Sequence, residues 1–322
     1  MNTSAPKRVL LAGATGTIGR AVARALVAAG HDTVCLMRRA GLEDQFPGAT
    51  VQVADVTDPT GLEDALADER FDTVISCLAS RTGAPKDAWA IDHRANLNLL
   101  NVAKAAAVPQ FVLLSAICVQ RPKLAFQQAK LAFEKVLIDS GLTYSIVRPT
   151  AFFKSLSGQL DRVKAGKPFL VFGDGTLTAC KPISDEDLAD FILTCLDDPS
   201  RQNAILPIGG PGAALTPLDQ GKALFEALGR EPRIKYVPVA LISTIIAALS
   251  SLGRLAPKLA EKAELARIGR YYATESMLVW NEDGQRYDAD ATPAHGTDTL
   301  ADFYAKLARG EVTIERGDHA VF

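Results

Sequence analysis

Cysteine is scarce in this chain, with five in 322 residues: Cys35, Cys77, Cys118, Cys180 and Cys195. None stands in a CxxC pair, and their spacing builds neither a disulfide framework nor a zinc site. That usage points to a reducing, cytoplasmic compartment. The four histidines, His31, His93, His295 and His319, lie in no motif, so no metal-ligand set is expected. Neither sign of charge is in excess. The 35 basic residues face 37 acidic ones, and a net charge of −2 argues against a nucleic-acid partner. Long hydrophobic runs are missing as well. After Lys7 and Arg8 only a short apolar run precedes Gly13; it is too short for the core of a signal peptide and suits a buried strand. One apolar stretch, residues 238–252 (PVALISTIIAALSSL), has no charge but falls short of the roughly 20 residues that a membrane span requires. Two readings stand for it: a buried or pocket-lining helix, or an interfacial helix in peripheral contact with a membrane.

What the chain does hold is apolar content, 48% against 22% charged, enough for a substantial core. Its length fits one large α/β domain, or a nucleotide domain with a smaller region appended. Short β-rich runs at 9–12, 33–37, 51–54, 71–77, 111–115 and 143–147 alternate with helical segments, notably 17–29, 87–107 and 124–140. This alternation predicts an α/β fold over residues 1–150, a Rossmann-type doubly wound parallel sheet with helices on both faces. After Pro149 proline and glycine become denser. Ser184 reads as an N-cap, with Asp187 three residues on and an apolar periodic run to Leu196. Further helices are predicted at 217–228, 240–252, 259–268 and 300–307. Residues 151–322 thus form a smaller mixed region covering the open side of the nucleotide site, with some segments returning to the sheet.

Gly13-Ala14-Thr15-Gly16-Thr17-Ile18-Gly19 lies between the first strand and the first helix. The turn there must be tight, the backbone must approach a pyrophosphate, and the helix must pack close to the sheet. The helix N-terminus adds N–H groups and a favourable dipole. In this strand–loop–helix context the motif marks a dinucleotide site, with Gly13, Thr15, Gly16, Thr17, Ile18 and Gly19 as candidate contacts. About twenty residues on, an acidic side chain would accept the ribose 2′-OH of NAD, but here the strand ends Met37-Arg38-Arg39. A guanidinium suits a 2′-phosphate, so NADPH is favoured over NADH. Arg38 and Arg39 are the candidates, one of the two being a solvated surface charge. Asp55 is either a partner of the adenine amino group or the cap of the helix that begins near Pro59. Cys77, ending the fourth strand, joins the cofactor-binding candidates.

The glycine spacing resembles that of the short-chain dehydrogenase/reductase superfamily, in its extended or atypical branch. There a serine after the fifth strand works with a Tyr-x-x-x-Lys on the next helix. The resemblance assigns Ser115 and Lys130 as catalytic candidates, with Lys130 also within reach of the nicotinamide ribose. The tyrosine position is Phe126, in Phe126-Gln127-Gln128-Ala129-Lys130. Carbonyl reduction makes an alkoxide that needs a positioned acid, and phenylalanine has no proton to give. The chain therefore either reduces something other than an ordinary ketone or does not turn over.

Several segments converge on one family: Ser115-Ala116-Ile117-Cys118-Val119-Gln120, the Phe-Gln-x-Ala-Lys run, Val147-Arg148-Pro149-Thr150-Ala151-Phe152-Phe153-Lys154-Ser155-Leu156, Phe172-Gly173-Asp174-Gly175 leading to Cys180-Lys181-Pro182-Ile183-Ser184, and Ala266-Arg267-Ile268-Gly269-Arg270-Tyr271-Tyr272-Ala273-Thr274-Glu275-Ser276-Met277. From about Arg8 to about Leu307 the chain resembles the NADPH-dependent divinyl chlorophyllide 8-vinyl reductases, whose members also lack the tyrosine. The resemblance implies reduction of an 8-vinyl to an 8-ethyl group on a magnesium-tetrapyrrole, divinyl chlorophyllide or protochlorophyllide. It also implies a location that is cytoplasmic or peripheral to photosynthetic membranes. Hydride addition to a conjugated vinyl group sends charge into the macrocycle, so no alkoxide forms and the main task becomes positioning. Water, Lys130 and Lys154 are the alternatives for the proton donor. A flat apolar ligand calls for aromatic walls and a few polar anchors. Phe152, Phe153, Tyr271 and Tyr272 are candidates for the walls, with the 240–252 helix as cover. Arg148, Lys154, Lys181, Arg267 and Arg270 are candidates for a propionate carboxylate. Two other readings keep the fold: an NADP-sensing regulator without turnover, and a nucleotide-binding accessory subunit of a membrane complex docked through 238–252.

Overall fold

The computed structural model describes residues 5–253 and 256–313. The tail residues 314–322, which lie beyond the resemblance, are outside the described residues. In chain order the elements are β1 (Arg8–Ala12), α1 (Thr17–Ala28), β2 (Asp32–Met37), β3 (Thr50–Val53), α2 (Pro59–Leu66), β4 (Thr73–Ser76), α3 (Pro85–Ala88), α4 (Asn96–Ala105), β5 (Gln110–Leu114), α5 (Ala125–Ile138), β6 (Thr143–Pro149), α6 (Leu160–Lys164), β7 (Phe169–Phe172), α7 (Asp185–Thr194), β8 (Ala204–Ile208), α8 (Pro217–Ala227), β9 (Ile234–Val237), α9 (Val239–Gly253), α10 (Pro257–Thr274), β10 (Val279–Asn281), β11 (Arg286–Asp288) and α11 (Leu300–Arg309). They fall into two compact units. The first gathers Met1–Ser80, Pro85–Pro149 and Asp185–Pro207; the second gathers Arg81–Ala84, Thr150–Ser184 and Ile208–Phe322.

The first unit is built on a seven-stranded sheet in the order β3-β2-β1-β4-β5-β6-β8. Pairing from β3 through β6 is parallel. Strands covered on both faces must be apolar along their length, and β1 (RVLLA) and β4 (TVIS) are buried almost throughout. Leu10, Val34, Leu62, Val74, Leu99, Phe111, Phe133 and Ile146 share one core. The order 3-2-1-4-5-6 is that of a Rossmann sheet, and it reverses direction between β1 and β4. In sheets of this order ligands bind beyond the carboxyl ends of the strands at that switch point, and the glycine loop follows β1 there. All six expected strands are present. β8 is a segment after residue 150 that returns to the sheet, at a position the sequence does not mark: Pro207 in AILPI argues against a strand, but proline is tolerated at a sheet edge, where no ladder donor is needed.

The helix expected at 87–107 is not uniform. α3 gives way to a π-helical segment, Trp89–Ala95, before α4 begins. Asn96 explains how the wider turn is held: its Nδ2 donates to the carbonyls of both Ile91 and Asp92, each at 3.2 Å. Such insertions are frequent at functional sites.

The second unit pairs β7 with β9 in parallel and β10 with β11 antiparallel. Phe153, Leu160, Val163, Phe169, Leu224, Leu300 and Tyr304 form its core. The Tyr304 hydroxyl donates to the Leu156 carbonyl at 2.8 Å, so the ring can be buried without an orphaned donor. α9 and α10 pack along one another. The reading of 238–252 as a buried helix is corrected here, because within α9 Ile242 alone is fully buried. Leu241, Ile245, Ala248 and Leu252, spaced i, i+4, i+7 and i+11 along one helix face, are exposed.

Candidate active site

The glycine loop has the geometry that its sequence demands. Gly13 takes φ +82°, and a Cβ there would lie 2.7 Å from the Cys77 carbonyl carbon and oxygen. A Cβ on Gly19 would lie 2.1 Å from the Gly13 carbonyl oxygen, so only glycine lets α1 start against the loop. The Gly16 N–H donates to Gly13 O at 3.1 Å, and Gly16 is the N-cap of α1 with no side chain capping it. No acidic residue occupies the first turn of α1, so no protein carboxylate competes for the helix dipole. Thr15 and Gly16 are exposed, Thr17 is half-buried, and Ile18 and Gly19 are buried. This cradle fits a dinucleotide pyrophosphate. Arg20, which sequence reasoning missed, donates from Nε to the Thr15 carbonyl at 3.1 Å and braces the loop.

Arg38 and Arg39 are exposed after β2. The Asp55 carboxylate accepts from Thr57 N at 2.8 Å and Thr57 Oγ1 at 2.7 Å. These bonds, led by the Thr57 backbone N–H and aided by the Arg38 charge, hold it below the usual carboxylate range. The N-cap of α2 is Asp58, so the helix-cap reading of Asp55 is corrected: Asp55 braces the turn before the helix.

Two buried polar groups lie beyond the ends of β4, β5 and β6. In the first, Lys130 Nζ is 3.0 Å from Asp92 Oδ1. Lys130 is 9% exposed and Asp92 1%. Ser80 N–H also donates to Asp92 Oδ1, at 3.3 Å. Half-buried Cys77 is close enough to feel the Lys130 charge; burial pushes its thiol up to about 12, and Lys130 opposes part of that rise. Cys77 therefore links the glycine loop to Lys130. In the second group, Ser115 Oγ donates to Glu134 Oε1 at 2.5 Å. Arg148 donates to the same carboxylate from Nε, at 3.2 Å, and from Nη2. Glu134 is 2% exposed. Ser115 is further fixed by its N–H to the Val147 carbonyl at 2.7 Å. Phe126, Lys130 and Glu134 follow one another at i, i+4 and i+8 on the buried face of α5.

Within the second unit, Phe153 belongs to the core and stacks on Phe303 at 5.5 Å. Phe152 is half-buried and bridges to Ile183. Tyr271 is buried, edge-on to the exposed Tyr272 at 5.7 Å. Lys154 is half-buried. Lys181 Nζ donates to the Thr292 carbonyl at 3.0 Å, Arg267 bonds Glu264 and Ser250 at 2.8 Å each, and Arg270 is exposed. Lys181 and Arg267 thus hold bonds within this unit, as Arg148 does in the first. Asp92 and Glu134 were the residues that sequence reasoning passed over. Glu134 had a signal, a carboxylate on the apolar face of α5; Asp92 had none, because its burial depends on the π segment.

Residues 13–199 match the model of a family described as NAD(P)H-binding. Divinyl chlorophyllide a 8-vinyl-reductase, chloroplastic, of Arabidopsis thaliana is 48% identical over 319 residues, which cover 94% of this chain and 76% of that protein. The protein of the same name from Cucumis sativus is 48% identical over 332 residues, covering 98% and 79%. Among solved structures, the NADPH-dependent quinone oxidoreductase QOR2 of Escherichia coli complexed with NADPH superposes with a TM-score of 0.66 at 20% identity, covering 93% of this chain and 99% of that one. That likeness is one of fold.

Proposed function

Because this chain belongs to the divinyl chlorophyllide a 8-vinyl-reductases, within the NAD(P)H-binding family, we propose that it reduces the 8-vinyl group of divinyl chlorophyllide or protochlorophyllide to ethyl. NADPH, when bound, supplies the hydride. The observation that carries the reading is the 48% identity over 94% of the chain. The local chemistry agrees: Phe126 stands where a ketone reductase holds a phenol, and a vinyl group conjugated with a macrocycle needs none. Residues 1–150 carry the nucleotide side and residues 151–322 the substrate side chains.

The loop from Gly13 to Gly19 and the first turn of α1 would hold the pyrophosphate, with Thr15, Gly16 and Thr17 outermost. Arg38 would take the 2′-phosphate, and its exposure leaves it available for one. Cys77 and Lys130 would flank the nicotinamide end. Phe152 and Tyr272 would wall the pigment, with Phe153 and Tyr271 packed as support; Lys154 and Arg270 would meet its carboxylate. No helix among the described residues is long and apolar enough to cross a membrane. The exposed stripe of α9 supports peripheral contact with a membrane surface, where an apolar pigment would be met.

The test mixes purified protein with NADPH and divinyl chlorophyllide and follows the pigment by absorbance and mass. A gain of two hydrogens with matching NADPH loss is expected. Unchanged pigment and unconsumed NADPH would refute the proposal.

A further inference from the structure

We propose that Asp92 is the positioning residue that holds Lys130 as the proton donor of the vinyl reduction, an inference that rests on the function just given. The two side chains come from different elements, the π segment and α5, and meet at 3.0 Å in a nearly water-free setting. Asn96 fixes the π turn through the carbonyls of Ile91 and Asp92, and Ser76 Oγ donates to Asn96 Oδ1 at 2.5 Å. Asp92 is therefore held by a chain of bonds that runs back to the end of β4.

A buried carboxylate that serves only the fold has both oxygens satisfied, because an orphaned buried acceptor is costly. Asp92 departs from this rule. Its Oδ1 takes Lys130 and the Ser80 N–H, whereas its buried Oδ2 has no partner. The pair is thus an acceptor and an ammonium with bonding capacity left over. An ammonium has three donors, and Asp92 takes one of them.

The neighbouring groups leave Lys130 as the acid. Phe126 has no proton to give. The Ser115 hydroxyl proton goes to Glu134. Arg148 is bound to that same carboxylate, and a guanidinium does not give up its proton. The Cys77 thiol, pushed up to about 12, is a poor donor near neutrality. Asp92 from the π segment and Cys77 after β4 face Lys130; on its own helix, Glu134 is taken by Ser115 and Arg148.

In the step itself an Nζ–H bond of Lys130 breaks while a C–H bond forms at the vinyl carbon beside the one that receives hydride. The electron pair of the new bond comes from the charged π system, and the resulting amine regains a proton from solvent. The sum is one hydride from the coenzyme and one proton from water, which turns vinyl into ethyl.

The test uses the full chain and two variants, Asp92→Asn, which keeps the shape and removes the charge, and Lys130→Arg, which keeps the charge but cannot release a proton. For Asp92→Asn, kcat should fall about tenfold or more. The Kd for NADPH, from fluorescence titration, should stay within about twofold of wild type. For Lys130→Arg, kcat should fall by about 10²-fold or more with NADPH still bound. Full kcat in Asp92→Asn would overturn the inference, as would a loss of NADPH affinity proportional to the loss of kcat. A wild-type protein that leaves the vinyl group intact would instead overturn the function on which the inference rests.

Discussion

Glu134→Ala should destabilise the first unit more than Ser115→Ala. Glu134 is 2% exposed and accepts from three donors, Ser115 Oγ, Arg148 Nε and Arg148 Nη2. Removing one member of a buried ion pair costs about 3–5 kcal/mol, because the surviving charge stays desolvated. The Arg148 side chain keeps 15% exposure, so water recovers part of its hydration and the lower end, about 3 kcal/mol, is expected. Ser115→Ala should cost less, about 1.5 kcal/mol, since the carboxylate keeps its arginine. Glu134→Ala combined with Arg148→Met should be milder than Glu134→Ala alone, because no unpaired charge remains. The sequence has two tryptophans, Trp89 in the π segment and Trp280 in β10 of the second unit. In a Trp280→Phe background, Trp89 fluorescence in urea reports the first unit, and a shift in midpoint at constant slope gives the stability change. A Glu134→Ala loss under about 1 kcal/mol, or a double variant as damaged as the sum of its parts, would refute the buried-pair account.

Arg38→Ala should raise the KM for NADPH by about 10- to 150-fold, the equivalent of charge-assisted bonds worth roughly 1.5–3 kcal/mol, while leaving the NADH value nearly unchanged. Equal shifts for both coenzymes would remove Arg38 from the 2′-phosphate. Burial pushes the thiols of Cys35 and Cys195 up to about 11 and that of Cys180 to about 12. The folded chain therefore keeps thiol protons that the unfolded chain loses above 9.0, so their stabilising effect is complete below that pH and declines toward 11–12. Buried Tyr304, also raised by burial, acts in the same sense. Melting temperature should fall steadily from pH 9 to pH 11, and a flat profile would contradict the burial of these groups. Co-flotation with anionic phospholipid vesicles should be lost on Ile245→Asp, which places a charge in the exposed stripe of α9; a wild-type chain that never floats would end the membrane reading.

Much of the fold could be read from the sequence because its signals are local. The six strands of the Rossmann order are short apolar runs flanked by turns, and Gly13 and Gly19 sit where any side chain would collide with backbone. β8 escaped because an edge strand holding Pro207 has no periodic apolar face, and the short strands of the second unit are too brief to carry a pattern. The 238–252 helix misled because apolar composition predicts burial only when a partner covers it, and Leu241, Ile245 and Leu252 are exposed. At the site, the limits are those of pairing. The family resemblance could locate Ser115, Lys130 and Arg148, but not that Ser115 and Arg148 converge on one carboxylate or that Lys130 meets Asp92. Those bonds depend on register between α5, β6 and a π turn, which no single segment encodes.

The loss of the phenol and the commitment of the serine belong together. A hydroxyl has one proton, and Ser115 donates its own to Glu134, so toward any ligand its oxygen acts only as an acceptor. A site that stabilises an alkoxide needs donors aimed at oxygen. With Phe126 at the tyrosine position and Ser115 turned into an acceptor, Lys130 is the donor that remains of the serine, tyrosine and lysine positions. A conjugated vinyl group makes a different demand. Charge generated beside the macrocycle spreads over its π system, and the one requirement left is a proton for carbon. Two changes that each weaken a ketone reductase, made together on neighbouring elements, leave the donor inventory that reduction of a carbon–carbon double bond requires.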